Sequence, residues 1–212
     1  MYNPTGATTP SRHPERASYD AKTVHAILDE ALVCHVGFIA DRRPQVLPMF
    51  FVRLGSTVFF HASIDAYVAQ LAAAAGGLEL ALETSIVDAL VLGRAEATHS
   101  ANYRSVVAHG VATLVDDPKI KRQVLAGLME KLLPGRTDTV RAPTESELLV
   151  TAVVALPLEQ VSAKVRTGPP IDAPEDVALE CWAGVVPLSE VRGTPVPAFD
   201  LRPGIDLPAS LK

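Results

Sequence analysis

The sequence has 212 residues, of which 48% are hydrophobic and 20% are charged, an ordinary balance for a globular domain. A chain of this length fits one domain and buries about 70% of the surface that its unfolded form exposes, so it needs no stabilising disulfides or metals. The net charge of -5 argues against a nucleic-acid-binding surface. No apolar run reaches the length of about 18 residues that a membrane-spanning helix requires.

The first 18 residues are predicted to form an N-terminal arm. This segment is polar, contains Pro4, Pro10 and Pro14, and lacks the apolar stretch of a secretory signal. We therefore expect a cytoplasmic protein. Cys34 and Cys181 belong to no CxxC pair, so two reduced, buried thiols are expected rather than a disulfide.

Helical and strand patterns follow one another from residue 19 to about residue 165. Asp20 is a suitable N-cap for a first helix that carries Val24, Ile27, Leu28 and Leu32 at helical spacing. Strands are predicted over 33–39, 45–52, 57–61, 78–85, 89–97, 103–115, 151–157 and 160–165. Further helices are predicted over 65–75, between Asp117-Pro118 and Pro134-Gly135, and over 145–149. The buried face of the longest helix is predicted to consist of Ile120, Val124, Leu128 and Leu132.

Short strands in meander order, with helices at the start and middle, indicate an antiparallel barrel with helical insertions. The predicted organisation is an arm over 1–18, a barrel domain over 19–190 and a tail over 191–212. Eight prolines follow Arg166, so the end of the chain is expected to wrap the surface, with one regular element near 183–191. Strict β-α alternation and a GxGxxG motif are both missing from the sequence, which argues against a Rossmann cofactor site.

Common catalytic motifs are also missing from the sequence. The six histidines do not fall at the spacings of a zinc site, so no metal is expected. The sequence has neither a GxSxG elbow nor a phosphate-binding GxxxxGK loop. Two strand ends, 47–51 and 59–63, are rich in aromatic residues. A planar aromatic ligand could stack on them, or they could simply form a hydrophobic core with a histidine at its edge.

Several short segments taken together resemble one known family, the pyridoxamine 5′-phosphate oxidase-like flavin-nucleotide-binding proteins. The branch that includes the nitroimidazole-resistance (Nim-type) proteins is the most similar. The resemblance runs from about residue 12 to about residue 187. The segments that carry it are 12–16, 19–20, 27–38, 48–50, 61–63, 99–106, 163–170 and 182–187.

This resemblance implies a mainly β (α+β) split-barrel homodimer with two FMN sites between its subunits. The flavin ring is expected along Pro48, Met49 and Phe50, bordered by the strand end that contains Phe60, His61, Ala62 and Ser63. His61 is the expected catalytic, substrate-facing residue. Residues expected to approach the cofactor across the interface or to close the site are Arg104, Ser105, Lys164, Arg166 and Thr167.

The sequence departs from the family pattern where the flavin phosphate is held. Relatives usually carry Ser-Arg or Arg-Lys after the His-x-Ser strand end, whereas this chain has Ala66-Tyr67. The cation of the preceding strand is also missing, with Phe50 or a neighbour in its place. Each hydrogen bond to a charged group contributes ~1.5–3 kcal/mol. Either another cation (Arg53, Arg104, Lys164 or Arg166) replaces them, or FMN binds weakly, or the ligand differs.

The resemblance favours an FMN-dependent oxidoreductase, of oxidase-like or nitroreductase-like type, that acts on a small molecule. The flavin would carry the redox chemistry, and His61 would donate a proton or hydrogen bond to the substrate. The alternative is a non-catalytic protein that binds or senses flavin, or has lost it. A third hypothesis is haem binding through a histidine. The expected partner is a second copy of the chain, with no nucleic acid and no membrane.

Overall fold

The described part of the chain, residues 1–208 and 211 of a computed structural model, forms nine strands and four α-helices. The strands are β1 (Ala17–Ser18), β2 (Val33–Ala40), β3 (Arg43–Leu54), β4 (Thr57–Ser63), β5 (Leu78–Leu92), β6 (Ser100–Leu114), β7 (Thr151–Pro157), β8 (Gln160–Arg166) and β9 (Gly184–Pro187). The helices are α1 (Ala21–Glu30), α2 (Tyr67–Ala73), α3 (Pro118–Leu132) and α4 (Glu145–Val150). Residues 209, 210 and 212 of the predicted tail lie outside this description.

Six of the strands pair antiparallel in a closed ring. The order around the ring is β2, β3, β4, β7, β6 and β5, and β5 pairs again with β2. β8 extends the sheet from β6 and carries β1, while β9 lies along β5. The predicted fold class, a mainly β split barrel with peripheral helices, is confirmed.

Side-chain alternation fills the inside of the ring. On β2, Cys34, Val36 and Phe38 are buried, whereas Val33 and His35 are exposed. α1 contributes Val24, Ile27 and Leu28 to the same core. The prediction was wrong at Leu32, which lies beyond the end of the helix and is exposed. The predicted N-cap of this helix is confirmed, because the Asp20 carboxylate accepts a 2.9 Å hydrogen bond from the backbone N–H of Thr23.

α3 packs against the outside of the ring rather than inside it. Its Val124 and Leu128 form a second core with Val52 of β3 and Val153 of β7. The predicted buried face was wrong at Ile120, which is 37% exposed, and Leu132 is only partly buried. Lys121 is buried in place of Ile120, because its ammonium donates to the carbonyl oxygens of Leu148 and Thr151.

Two other sequence expectations need correction. The strands predicted over 78–85 and 89–97 are one strand, β5, with a register shift between Val87 and Ala89. A β-bulge of this kind adds an unpaired residue without ending the strand. Of the two cysteines expected to be buried, Cys181 is exposed and only Cys34 is buried.

Short strands attach both terminal segments of the described chain to the sheet. In the arm predicted over 1–18, Tyr2 packs against the barrel core and Thr8 is buried, and β1 adds to the sheet beside β8. The regular element predicted near 183–191 is β9. None of the helices within residues 1–208 is long and apolar enough to cross a membrane.

A matched pair of leucine variants tests the position of the core. Leu156 on β7 is fully buried in the barrel, whereas Leu149 on α4 is 76% exposed. We predict that Leu156→Ala lowers the free energy of unfolding by about 2–5 kcal/mol because it leaves a cavity. Leu149→Ala should change it by no more than about 0.5 kcal/mol. Urea unfolding of both variants measures the two values, and equal losses would contradict this core assignment.

Candidate functional site

The outward-facing side chains of β2 and β3 are left uncovered where α3 ends its contact with the barrel. This open face consists of Val33, His35, Val46, Pro48 and Phe50. All five are exposed, and Phe50 is 48% exposed despite its large apolar ring. Val33 lies opposite Phe50 and His35 lies opposite Pro48 in the β2–β3 ladder. Exposed apolar faces of this kind indicate a binding surface.

The predicted site residues of β3 and β4 are divided between the two faces of these strands. Pro48 and Phe50 belong to the open face. His61 is exposed and lies directly opposite Val153, one of the residues packed under α3, so it also faces outward. Ser63, two residues further along β4, is exposed as well.

Three other predicted residues on these strands face inward. Phe60 is fully buried in the barrel core, and Met49 and Ala62 pack against that core. Only the backbone groups of these residues could therefore meet a ligand on the open face. Alternation also explains why a run of adjacent residues cannot all present side chains to one ligand.

A cleft of about 810 Å³ lies beside the open face, within the usual volume range of small-molecule and cofactor sites. The end of α1, the start of β2, the middle of β5 and the segment after β9 form its walls. Its apolar lining residues are Ala31, Leu32, Val33, Ile86, Val87 and Leu188. Two basic side chains, His35 and Arg104, also line it.

Arg104 is held by two carboxylates in this cleft. Its guanidinium donates to Asp88 at 2.7 and 2.9 Å and to Glu30 at 2.7 Å. These bonds lower the pKa of both carboxyls, with the hydrogen bond from Arg104 as the main cause. The positive charge of Arg104 is therefore balanced within the chain, which weakens the expectation that it grips a cofactor phosphate.

His35 was not among the sequence-predicted site residues, yet it lies in the cleft and on the open face. Its Nδ1 atom is 3.4 Å from a carboxylate oxygen of Glu83, its cross-strand neighbour on β5. A histidine oriented by a carboxylate at one ring nitrogen leaves the other nitrogen available for a ligand. Exposed and buried side chains alternate along 33–39, and His35 occupies one of the outward-facing positions. This pattern would have identified the residue from the sequence.

Apart from Arg104, the predicted residues of β6 and β8 lie elsewhere on the barrel. The Ser105 hydroxyl donates to the Lys164 carbonyl at 3.3 Å, and the Lys164 ammonium donates to the Arg12 carbonyl at 2.8 Å. Both line a small cleft of about 200 Å³ beneath the N-terminal arm. Thr8, Thr9 and Ser162 add hydroxyl groups to its lining, so the cleft combines a cation with several hydrogen-bond donors.

Arg166 and Thr167 complete the predicted set at the end of β8. Arg166 is only 6% exposed, and its guanidinium donates to the Asn102 side chain and to the Pro169 carbonyl. This arginine therefore holds the loop that follows β8. Thr167 is exposed. In the ring, β2 and β5 separate β3 from β6. A single chain therefore keeps Ser105, Lys164 and Arg166 away from the predicted residues of β3 and β4.

A lysine lies behind the open face. The Lys131 ammonium is 3.5 Å from the centre of the Phe51 ring and donates to the Leu28 carbonyl at 2.8 Å. Burial lowers its pKa to about 8.

The Cys34 thiol lies between Val33 and His35 on β2. Burial raises its pKa to about 12, so this thiol is not a nucleophile.

The fold and this cleft define a class, the antiparallel split-barrel proteins with a cofactor-sized site against the barrel wall. The family model described as pyridoxamine 5′-phosphate oxidase matches residues 20–165. The chain therefore belongs to the pyridoxamine 5′-phosphate oxidase family, a flavin-binding family, as its sequence resemblance implied. A search of curated proteins finds no match.

Solved structures extend the similarity beyond the family model. The flavocytochrome Anf3 from Azotobacter vinelandii is 34% identical, with a TM-score of 0.90 over 100% of this chain and 97% of that chain. A FAD and heme binding protein from Mycobacterium smegmatis is 32% identical, with a TM-score of 0.86 over 92% and 95% of the two chains. A protein assigned to 5-nitroimidazole resistance in Bacteroides thetaiotaomicron is 20% identical, with a TM-score of 0.57 over 70% and 86%, and shows the fold alone.

The ion pairs of Arg104 predict how stability depends on pH. The pKa values of Glu30 and Asp88 are lowered in the folded chain. Their contribution is therefore present above the unfolded-state pKa of about 4 and is lost as pH falls through the folded values. We predict that Arg104→Met is less stable than the parent at pH 7 and that the difference shrinks below about pH 4. Urea unfolding at both pH values tests this, and a difference independent of pH would contradict it.

Proposed function

We propose that this protein is a flavin-binding redox protein that also holds a haem, and that it works as a homodimer on a small-molecule substrate. The observation that carries the proposal is the whole-chain similarity to a flavocytochrome and to a FAD and heme binding protein. The family model ends at Val165, whereas the wall of the large cleft includes Leu188, Ser189 and Glu190. The flavocytochrome match covers this additional segment.

The open face fits the planar ring of a flavin. Pro48 and Phe50 offer exposed apolar surface, and His61 stands at its edge with no hydrogen bond to its ring within the described residues. Ser105 and Lys164 lie on a different wall of the barrel, so we assign them to the flavin of the partner subunit. A dimer would then unite the two sets of residues that one chain keeps apart.

The similarity to a FAD and heme binding protein favours FAD over the FMN that the family resemblance implies. The phosphate groups of either flavin carry about two negative charges that the site must balance. Of the four cations that could hold them, Arg53 pairs with Asp29 at 2.7 Å, Arg104 pairs with two carboxylates, and Arg166 is buried in its loop. Lys164 is bonded to a backbone carbonyl only, within the described residues. Ala66 and Tyr67, at the start of α2, add no cation.

The large cleft fits a haem. Apolar side chains form about half of its lining, beside the charged groups of Glu30, Asp88, Glu190 and Arg104. His35 has one ring nitrogen 3.4 Å from Glu83. Such a carboxylate partner orients a ligating imidazole and increases its basicity, and histidine is a common axial ligand of haem iron. We therefore assign His35 as the haem ligand and retain His61 as the residue that faces the substrate of the flavin. A bound flavin supplies hydride transfer, and a haem supplies one-electron chemistry.

A non-catalytic flavin-binding or sensing protein is the second candidate function. The observation in its favour is the engagement of Arg53, Arg104 and Arg166 by groups of the same chain. Catalytic turnover of the bound flavin distinguishes the redox protein from the non-catalytic flavin-binding or sensing protein. If NADH or NADPH reduces the bound flavin and no acceptor reoxidises it, including nitro compounds and O₂, the sensing function is favoured.

Cofactor analysis of matched histidine variants tests the proposed function. We predict that the purified protein shows flavin absorbance and a Soret band, and that acid-released flavin is FAD by chromatography. His35→Ala should lose the Soret band and keep the flavin, because it removes the proposed iron ligand. His61→Ala is the matched control and should keep both. A protein that takes up neither added flavin nor added haem would refute the proposal. If only His61→Ala loses the haem, the haem ligand is His61 and the assignment to His35 is wrong.

The role of His61 is tested separately by kinetics. If it donates a proton or hydrogen bond to the substrate, His61→Ala should lower turnover by about 10²–10⁴-fold, the usual contribution of general acid–base catalysis. Its flavin affinity should stay within about threefold of the parent. Steady-state rates and flavin titrations give the two values. A variant that loses flavin affinity and keeps its rate when saturated would show that His61 only binds the cofactor.

A further inference from the structure

We propose that the small cleft beneath the N-terminal arm binds a phosphoryl group, held by the Lys164 ammonium and the hydroxyl groups of Ser162 and Ser105. This cleft shares no lining residue with the large cleft of the same chain. The phosphoryl group could belong to the flavin or to a nicotinamide dinucleotide that reduces it. For these two sources the inference rests on the proposed function, whereas the chemistry of the cleft does not depend on it.

The pairing of β6 with β8 places the three donors on one face of the sheet. Ser105 lies opposite Lys164 in the antiparallel ladder. Two residues further along β6, Val107 lies opposite Ser162. Because cross-strand partners point to the same face and neighbours along a strand alternate, these four side chains project outward. Val106, between Ser105 and Val107, packs in the barrel core instead.

The Ser162 hydroxyl is the strongest indication that the small cleft receives a ligand. Ser162 is only 6% exposed and lines the cleft, yet its hydroxyl forms no hydrogen bond within the described residues. Buried polar groups in folded proteins nearly always have a hydrogen-bond partner. A hydroxyl that is buried, unpartnered and open to a cleft is therefore placed to bond to whatever occupies that cleft.

The Lys164 ammonium has donor capacity to spare. It carries three N–H groups, and its one hydrogen bond within the described part of the chain goes to the Arg12 carbonyl at 2.8 Å. This bond holds the ammonium beneath the N-terminal arm. The Ser105 hydroxyl donates to the Lys164 carbonyl at 3.3 Å, a long distance for an O–H donor. A charged acceptor in the cleft would therefore bind this hydroxyl more strongly.

The charge and the size of the small cleft select its ligand. Within the described residues its lining includes a lysine and no carboxylate, so it attracts an anion. A phosphoryl group offers three strong acceptor oxygens, which matches the three donors. The volume of about 200 Å³ is below the range of ~300–1,000 Å³ that a whole ligand needs. Only the phosphorylated end of a larger molecule would therefore enter.

The N-terminal arm forms the roof of the small cleft. Ala7, Thr8, Thr9 and Pro10 line it. The Thr8 hydroxyl accepts a hydrogen bond from the Thr5 backbone N–H at 2.9 Å, and the Thr9 hydroxyl donates to the Thr5 carbonyl at 2.7 Å. These two hydroxyl groups are thus engaged within the arm. The arm closes the cleft, and β6 and β8 supply the groups that bind.

Calorimetric titration with inorganic pyrophosphate tests the cleft directly. The full-length protein is used after any bound flavin has been exchanged for riboflavin, which carries no phosphate and leaves the cleft open. We expect saturable binding, which Lys164→Met weakens by about 10–100-fold because it removes a charge-assisted hydrogen bond. Ser162→Ala should weaken it by about 2–10-fold. Lys119→Met, at an exposed position of α3 outside the cleft, is the matched control and should bind as the parent does.

Titrations with three flavins and two reductants identify the source of the phosphoryl group. If the flavin supplies it, Lys164→Met should weaken FMN or FAD binding by about tenfold or more and leave riboflavin binding within about twofold. If the reductant supplies it, the same variant should raise the KM for NADH or NADPH and leave the affinities for all three flavins unchanged. Riboflavin therefore separates a phosphate contact from a general effect on the fold.

Three results would overturn the proposal. The first is a folded parent that shows no saturable binding of pyrophosphate, and the second is equal weakening by Lys119→Met. The third is binding of pyrophosphate with no effect of Lys164→Met or Ser162→Ala on any phosphorylated flavin or reductant, which would make it an adventitious ion only. If Lys164→Met does not fold, Ser162→Ala decides. A parent that holds flavin and haem but fails these tests keeps the proposed function and loses only the subsite.

Discussion

The alternation of side chains along β2, β3 and β5 is the constraint on which the rest of the structure depends. One face of each strand must fill the barrel, because the closed ring leaves no other way to bury its apolar residues. The opposite face is then available to helices, ligands or a second chain. α3 covers part of it at Val52 and Val153. The remainder, around His35 and Phe50, is where the candidate site lies.

Electrostatics then determines what this surface can hold. The cleft brings Arg104 together with Glu30 and Asp88, so its strongest cation is already paired. The apolar side chains of the cleft suit the faces of a large planar cofactor, whereas its carboxylates, Glu30, Asp88 and Glu190, disfavour a free phosphate group. His35 and Glu83 give the same site one oriented imidazole. The proposed function therefore rests on this arrangement together with the whole-chain similarity to a flavocytochrome and to a FAD and heme binding protein.

The sequence was sufficient to predict most of the fold and only part of the site. Caps and periodicity are local signals, so the start of α1 at Asp20 was predictable. The burial of Lys121 was not, since it depends on the carbonyl groups of Leu148 in α4 and Thr151 in β7, which lie 27 and 30 residues further along the chain. Similarly, family resemblance indicated Arg104 as a cofactor residue. Its pairing with two carboxylates depends on tertiary contacts that a linear pattern does not contain.

We propose a dimer of this split barrel whose subunits share flavin between them and each hold a haem in the large cleft. Native mass spectrometry of the purified protein, expressed with flavin and haem precursors supplied, tests this claim most directly. The account predicts a dimer of the 22.5 kDa chain whose excess mass matches FAD and haem in equal numbers. A monomer without bound cofactor, or a dimer that carries neither after both are added, would contradict it.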